Sequence, residues 1–284
     1  MRFSTAGSFP RFDHSLLVEA LVPLREEWAA LRFGADGAVV NPLSGEPNDT
    51  LRLVAGRHRS PGARYEILTR TPEPSEPAGE LTETISRFTL RGDDSRALAV
   101  TVTDPQELWS VDIDIVHGRI PRIVLEGRAD ATAMMVAEDV PRWLARRVGG
   151  TATGTATIDL ATIEQRAGGT VAEASGVVKL LRGSGSATVT PTPTTWDVAG
   201  SADLTGQGLG RLALRLFGKR LRRSFDDAVT AYWKNVPLDA AGWETDLHRI
   251  EDVIAAEGGV ATVIHRGLWD PAYLEGLTQK YDLE

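Results

Sequence analysis

Hydrophobic and polar residues alternate with a period of two through much of the first half of the chain. From about residue 36 to 128, this alternation predicts antiparallel strands, because successive side chains of a strand point to opposite faces of a sheet. It is clearest between residues 98 and 102 and between 109 and 115. Turn-forming pairs such as Gly92-Asp93 separate the segments, as expected for hairpins.

Helical spacing of apolar residues replaces the alternation in three places. The first helix opens the fold and contains Pro23, where we expect a kink or two short helices, because proline removes a helical hydrogen bond. The second covers about residues 131–148, and Pro141 should break it for the same reason. The third is a long helix that begins near Leu209.

Strand patterns return in the second half of the chain. Residues 151–158 alternate strictly between threonine and small or apolar residues, and the last alternating segment begins at Trp196. The elements therefore run helix, strands, helix, strands, long helix and tail, which predicts an α+β fold. We expect an N-terminal helix with antiparallel strands (1–130), then a helix, antiparallel strands and the long helix (131–236), and finally a helical tail packed on the body (237–284).

The long helix carries two apolar stripes. At about 100° per residue the stripes are rotated by roughly 140° from each other, and Gly218 lies between them, so we expect a break or kink at Gly218. The first stripe contains Leu209, Leu212, Ala213, Leu216 and Phe217, and the second contains Leu221, Phe225, Ala228, Tyr232 and Val236.

The same helix is strongly basic before its first acidic residue, Asp226. Its cations there are Arg211, Arg215, Lys219, Arg220, Arg222 and Arg223. Because the whole chain has a net charge of -8, pairing with internal carboxylates is the favoured role. An anionic ligand or a membrane surface is the alternative, since basic amphipathic helices bind anionic headgroups.

A strand, a glycine-rich turn and the long helix follow one another directly in the second half. They are the strand 196–204, the turn Gly206-Gln207-Gly208-Leu209-Gly210 and the helix through Trp233. Through these residues the second half of the chain resembles the START-like (SRPBCC) helix-grip superfamily, and the resemblance covers about a third of the chain. The resemblance implies a curved antiparallel sheet packed on a long C-terminal helix, either as one elaborated module or as two related halves.

The resemblance also implies that a small hydrophobic or lipid-like ligand binds in an apolar pocket between the sheet and the long helix. We expect ligand contacts from Trp109, Val111, Ile113, Ile115, His117, Leu212, Leu216 and Phe217. A cyclase or aromatase-type enzyme on the same fold is one alternative, with His117 as a proton-transfer group. A structural or interaction module is the other. A non-catalytic protein is favoured, because the chain carries no catalytic motif.

For two further patterns we favour a purely structural role over a ligand-binding one. The glycine turn could hold a phosphate at a helix start, but its spacing and the absence of a following strand do not fit a dinucleotide fingerprint. Glu244, His248 and Asp252 have metal-ligand spacing on one helix face, yet exposed charges on a single turn are usually only solvated. We therefore expect neither a metal nor a cofactor.

The composition of the chain argues against several further classes of function. The net charge of -8 argues against nucleic-acid binding, which needs a basic surface. With 0 cysteines, disulfides and thiolate chemistry are excluded. No apolar run reaches the roughly 20 residues that span a bilayer, so we expect no integral membrane segment and a cytoplasmic location. The oligomeric state stays open.

Overall fold

The structure is a computed structural model that describes residues 1–10, 15–72, 81–118, 120–137, 140–164, 168–234 and 249–281. Its contacts divide the chain into two units. Unit 1 contains Met1–Arg11 and Asp94–Trp243, and unit 2 contains Phe12–Asp93 and Glu244–Glu284.

Strands occur in both units. In chain order they are β1 (Arg2–Pro10), β2 (Ala38–Val40), β3 (Pro47–Ala55), β4 (Arg64–Pro72), β5 (Leu81–Asp93), β6 (Ala97–Thr103), β7 (Trp109–Val116), β8 (Arg122–Asp130), β9 (Thr151–Asp159), β10 (Gly169–Val178), β11 (Leu181–Pro191) and β12 (Thr195–Gly206).

The helices of the described residues connect or follow these strands. They are α1 (Ser15–Ala30), α2 (Ala131–Ala137), α3 (Arg142–Val148), α4 (Ala161–Glu164), α5 (Leu209–Lys234), α6 (described over 249–256), α7 (Val260–Trp269) and α8 (Pro271–Tyr281).

Unit 1 is built on an eight-stranded antiparallel sheet. Its order is β1-β12-β11-β10-β9-β8-β7-β6, so seven of the strands form a simple meander. The exception is β1, which pairs with β12 over its whole length, from Arg2 opposite Asp203 to Pro10 opposite Thr195. The strong alternation of these strands gives the sheet one apolar and one polar face, because each residue and its cross-strand partner point to the same side.

A small core lies at one end of this sheet. Leu144 and Val148 of α3 pack on Leu181, and all three are buried. The predicted break at Pro141 is confirmed, since α2 ends before it and α3 begins immediately after it. Leu214 of α5 packs against the same cluster.

The helix α5 is a single element of 26 residues. It is continuous through Gly218, so the predicted break at this position is wrong. Gly218 is buried, and a Cβ atom added to it would lie 3.3 Å from Met1 Sδ. The glycine therefore allows α5 to lie close to the N-terminal residue. Farther along the helix, the ring of Phe225 lies 4.9 Å from that of Phe3 in β1.

Unit 2 combines the strands in the order β5-β4-β3-β2 with α1, α6, α7 and α8. Pro23 lies inside α1, which is one 16-residue helix and not two short ones. The α1 residue Glu27 joins this helix to α7, because its two carboxylate oxygens accept hydrogen bonds from His265 Nδ1 (2.6 Å) and Trp269 Nε1 (2.9 Å).

The predicted α+β helix-grip fold is wrong. A long helix does follow β12, but its principal contacts are with the edge strand β1, with the neighbouring strand β12 and with α3, and the sheet does not enclose it. Two of its leucines, Leu212 and Leu216, are 44% and 60% exposed. The physical reason lies in the helix itself, since an element with several arginines cannot be surrounded by an apolar sheet without leaving charges unpaired.

Candidate functional site

The apolar face of the unit 1 sheet is a continuous surface that crosses eight strands. Strand register places one residue of each strand in a central row, and every residue in that row is apolar or glycine. From β6 to β1 the row is Val100, Ile113, Leu125, Ala156, Ala174, Gly185, Ala202 and Phe3. None of these residues is buried.

Two flanking rows extend the surface on either side. One contains Leu98, Ile115, Ile123, Ile158, Ala172, Ala187, Gly200 and Thr5. The other contains Val102, Val111, Gly127, Gly154, Gly176, Gly183 and Leu204. All of these residues are half-buried. We call the three rows together the apolar face.

The size of the side chains changes across the apolar face. Bulky aliphatic residues lie on β6, β7 and β8, whereas glycine and alanine predominate from β9 to β11. The glycines bring neighbouring strands close together: a Cβ on Gly154 would lie 3.0 Å from the carbonyl oxygen of Ser175. At this end an apolar molecule could approach the backbone directly.

The opposite face of the same sheet is polar. It carries short hydroxyl side chains interspersed with charged ones, such as Thr155 opposite Ser175, whose oxygens are 3.3 Å apart. Thr101 donates a hydrogen bond to Asp112 on this face (2.5 Å). The depressions here are open, and three of them measure about 470, 560 and 720 Å³. This face is suited to solvent.

The structure brings together half of the residues predicted to bind a ligand. Trp109, Val111, Ile113 and Ile115 lie in β7 on one side of the sheet, and Trp109 is 37% exposed. His117 follows the end of this strand. Its backbone N–H donates to the Arg96 carbonyl (2.7 Å), and its Nε2 is buried without a hydrogen-bond partner among the described residues.

The residues of α5 that were predicted to line the pocket do not lie next to β7. Leu212 and Leu216 belong to α5, which contacts β12 and β1, and four strands separate β12 from β7 in the sheet. Phe217 also belongs to α5, but its side chain lies outside the described residues. The predicted ligand contacts therefore fall into two separate groups.

Catalytic and metal-binding interpretations gain no support from the described residues. The carboxylates of β7, Asp112 and Asp114, lie on the polar face and so point away from the face that carries Ile113. Among the described residues no group of three or more potential ligands could hold a metal ion. Glu244 and His248 lie outside the described residues.

The glycine turn before α5 is a tight structural corner. The N–H of Gln207 donates to the carbonyl of Leu180 (2.8 Å), and the N–H of Gly210 donates to Gln207 (2.9 Å). A Cβ on Gly210 would lie 2.6 Å from the Leu180 oxygen, which explains the glycine. Because these backbone donors already have acceptors, they are not available to a phosphate.

A basic cleft of about 670 Å³ lies between α5 and the end of β12. Its cationic residues are Arg211, Arg215, Lys219 and Arg222, and Met1, Leu204 and Leu214 contribute apolar surface. Arg222 donates to the backbone carbonyl of Arg2 (2.9 Å). For Arg211, Arg215 and Lys219, no ion pair with a carboxylate occurs within the described part of the chain. The pairing with internal carboxylates that the sequence favours is therefore not found for these three.

One hydrogen-bonded cluster in unit 2 was missed by the sequence patterns. His58 Nε2 lies 2.9 Å from the carbonyl oxygen of Trp28, and its Nδ1 lies 2.9 Å from the hydroxyl of Tyr65. Because a carbonyl oxygen can only accept, the proton of the neutral ring is on Nε2. Nδ1 is then an acceptor, and the Tyr65 hydroxyl donates to it. The Tyr65 oxygen in turn accepts the N–H of Arg59 (3.1 Å). Every partner is satisfied when His58 is neutral, so we interpret the cluster as structural.

Burial lowers the pKa of His58 below that of a free histidine, and the nearby Arg59 acts in the same direction. The unfolded chain then binds more protons than the folded one below about pH 6.5, and stability falls as pH decreases through this range. We expect the melting temperature to drop between pH 7 and 5, with a smaller drop in His58→Gln. NMR titration of the His58 ring should give a pKa below that of free histidine, and a higher value would contradict the assignment.

No model of a known protein family, no curated protein and no solved structure matches this chain. Membership of the START-like superfamily therefore stays a prediction. Within the described residues, none of the helices is both long enough and apolar enough to cross a lipid bilayer.

Proposed function

We propose that unit 1 binds a small hydrophobic or lipid-like molecule on the apolar face of its sheet. The observation that carries this proposal is the central row from Val100 to Phe3, in which eight cross-strand neighbours are apolar or glycine and none is buried, although Phe225 of α5 packs on Phe3 at the β1 end. A partly exposed apolar surface of this extent usually marks a site of interaction. The ligand site is thus the sheet itself, and α5 borders it at the β1 end.

The dimensions of the apolar face favour an elongated ligand. Seven inter-strand spacings of about 4.8 Å give a surface roughly 34 Å long, and three rows give a much smaller width. Hydrophobic contact is not directional, so the shape and the apolar character select a class of ligand, not one compound. A long acyl chain or a flat ring system fits both properties.

An enzyme of the cyclase or aromatase type is less well supported. His117 is the titratable residue next to the apolar side of β7, and the carboxylates of that strand, Asp112 and Asp114, lie on the other side of the sheet. A proton-transfer role would need a second polar group near the histidine ring. Its buried Nε2 has no hydrogen-bond partner among the described residues. We therefore propose binding without catalysis.

The proposal is tested by titrating a fluorescent fatty acid into three forms of the protein. Leu125→Asn places an amide in the middle of the apolar face and should weaken binding about tenfold or more, because an unpaired amide costs free energy in an apolar contact. Glu126→Gln is the matched control: it is the next residue of β8, it lies on the polar face, and it should bind like the wild type.

Equal dissociation constants for all three proteins would contradict the proposal, as would failure of the wild type to bind. If instead the apolar face is covered by a second copy of the chain, sedimentation will detect a dimer that Leu125→Asn dissociates, and the fatty acid will not bind. Circular dichroism of each variant checks that the strands remain formed.

A further inference from the structure

The first half of α5 has an exposed side in which leucines and cations lie next to each other. Leu209, Leu212 and Leu216 fall within about 60° of one another around the helix axis. Their exposures are 36%, 44% and 60%. Arg211, Arg215, Lys219 and Arg222 follow on one flank of this stripe, and Arg220 lies on the other.

The opposite side of the same helix is fixed to unit 1. Gly210 lies against Leu180, Gly218 against Met1, and Phe225 against Phe3. The exposed side is therefore already formed in a folded element and need not be ordered by a partner. This lowers the entropic cost of an interaction there.

The charged residues in this part of α5 are all cationic. Six cations occur between Leu209 and Phe225 with no acidic residue among them, although the chain as a whole has a net charge of -8. Arg211, Arg215 and Lys219 form no ion pair with a described carboxylate. A surface of this kind is complementary to a dense layer of anions.

We infer that the exposed side of α5 is a docking surface for an anionic lipid bilayer. The leucines distinguish this partner from other polyanions, because they can enter the boundary between headgroups and acyl chains while the flanking cations contact lipid phosphates. Nucleic acid would leave them in water. The helix would lie in the plane of the interface and would not cross it.

This inference is independent of the ligand proposed for the apolar face. The docking surface uses residues of α5, whereas the proposed ligand contacts residues of β6 to β12 and β1 on the sheet. If the protein binds fatty acid but not vesicles, the docking inference has failed. If it binds vesicles but not fatty acid, the proposed ligand site has failed.

The test is co-sedimentation of the full chain with vesicles of phosphatidylcholine, with and without 30% phosphatidylglycerol. We expect binding to the anionic vesicles only, and weaker binding as salt rises and screens the charges. Arg211→Gln/Arg215→Gln/Lys219→Gln should weaken binding roughly 100-fold, since each cation near the surface contributes about a factor of five. Arg222 is kept because its guanidinium bonds a backbone carbonyl.

A matched control removes the same charge elsewhere in unit 1. Arg122→Gln/Arg128→Gln/Arg182→Gln changes three exposed arginines on the polar face of the sheet and should leave vesicle binding within about twofold of the wild type, because only residues near the membrane surface contribute strongly. Leu212→Ser/Leu216→Ser keeps every charge and should still weaken binding at least tenfold, because these side chains supply the apolar contact.

Three outcomes of the vesicle assay would overturn the inference. They are equal binding to neutral and anionic vesicles, equal losses in the two triple variants, and wild-type binding by the leucine variant. Preferential binding to DNA of the same charge concentration would assign the surface to nucleic acid and would also overturn it. Melting curves of all variants establish that each is folded under the assay conditions.

Discussion

Replacing Tyr65 with alanine is expected to lower the free energy of unfolding by about 4 kcal/mol, because a completely buried aromatic ring is removed. The ring of Tyr65 stacks on Phe88 at 4.7 Å and lies 5.4 Å from Trp28. Its hydroxyl also joins the side chain of His58 to the backbone of Arg59. Denaturant unfolding, followed by tryptophan fluorescence, measures the loss.

Tyr65→Phe separates the packing from the hydrogen bonds. The ring and its stacking are retained, while the Arg59 N–H and His58 Nδ1 lose their partner, so we expect a cost of about 1–3 kcal/mol. A phenylalanine variant as unstable as the alanine variant would mean that the hydroxyl network, and not the ring, holds this part of unit 2 together. An alanine variant within 1 kcal/mol of wild type would contradict the described packing.

Gly210→Ala is expected to destabilise the protein by about 3 kcal/mol, which is a large effect for one added methyl group. The added Cβ would lie 2.6 Å from the Leu180 oxygen and 2.9 Å from its Cβ. Neither atom can move freely, because the Leu180 carbonyl also accepts the N–H of Gln207. Thermal unfolding of the variant measures the effect.

Gly208→Ala provides the control for the same turn. A Cβ at this position meets nothing within 4 Å. Because Gly208 has φ = 52°, the only expected cost of alanine is that of a left-handed backbone conformation, about 1–2 kcal/mol. If the alanine at 208 were the more damaging of the two, backbone conformation rather than close packing would explain the turn. If neither substitution mattered, the corner would not be the rigid structural element that we describe.

Local patterns predicted several elements of this chain, although they did not predict β1, which precedes the helix that was expected to open the fold. The strict alternation over residues 98–102 and 109–115 corresponds to β6 and β7, and the proline rule placed the interruption between α2 and α3 at Pro141. These features depend on neighbours along the chain, so a single sequence carries the necessary information. The antiparallel pairing of consecutive strands follows from the short turns between them.

The arrangement of the elements was harder to predict. The strand β1 contains serine, threonine and glycine with little apolar alternation, and its partner β12 lies almost two hundred residues later in the sequence. A leucine stripe on α5 looked like the wall of a pocket, yet Leu212 and Leu216 are exposed. Periodicity indicates which residues share a face of a helix, but it does not say whether protein, solvent or a partner covers that face.

The candidate site was partly visible in the sequence. The apolar side of β7 was predicted from alternation, whereas the glycine and alanine positions of β9 to β11 were not recognised as part of an apolar face, because small residues give little hydrophobic signal. The cluster around His58 was missed for another reason. It depends on Arg59, which has the unusual φ of 62° and turns its backbone N–H toward Tyr65.

Native mass spectrometry of the intact protein, followed by organic extraction and identification of any released molecule, tests the central claim most directly. We predict a bound species with the mass of a lipid-like molecule, present in the wild type and in Glu126→Gln and depleted in Leu125→Asn. A wild-type spectrum with only the unliganded mass, before and after incubation with fatty acids, would contradict the claim that the apolar face is a binding site.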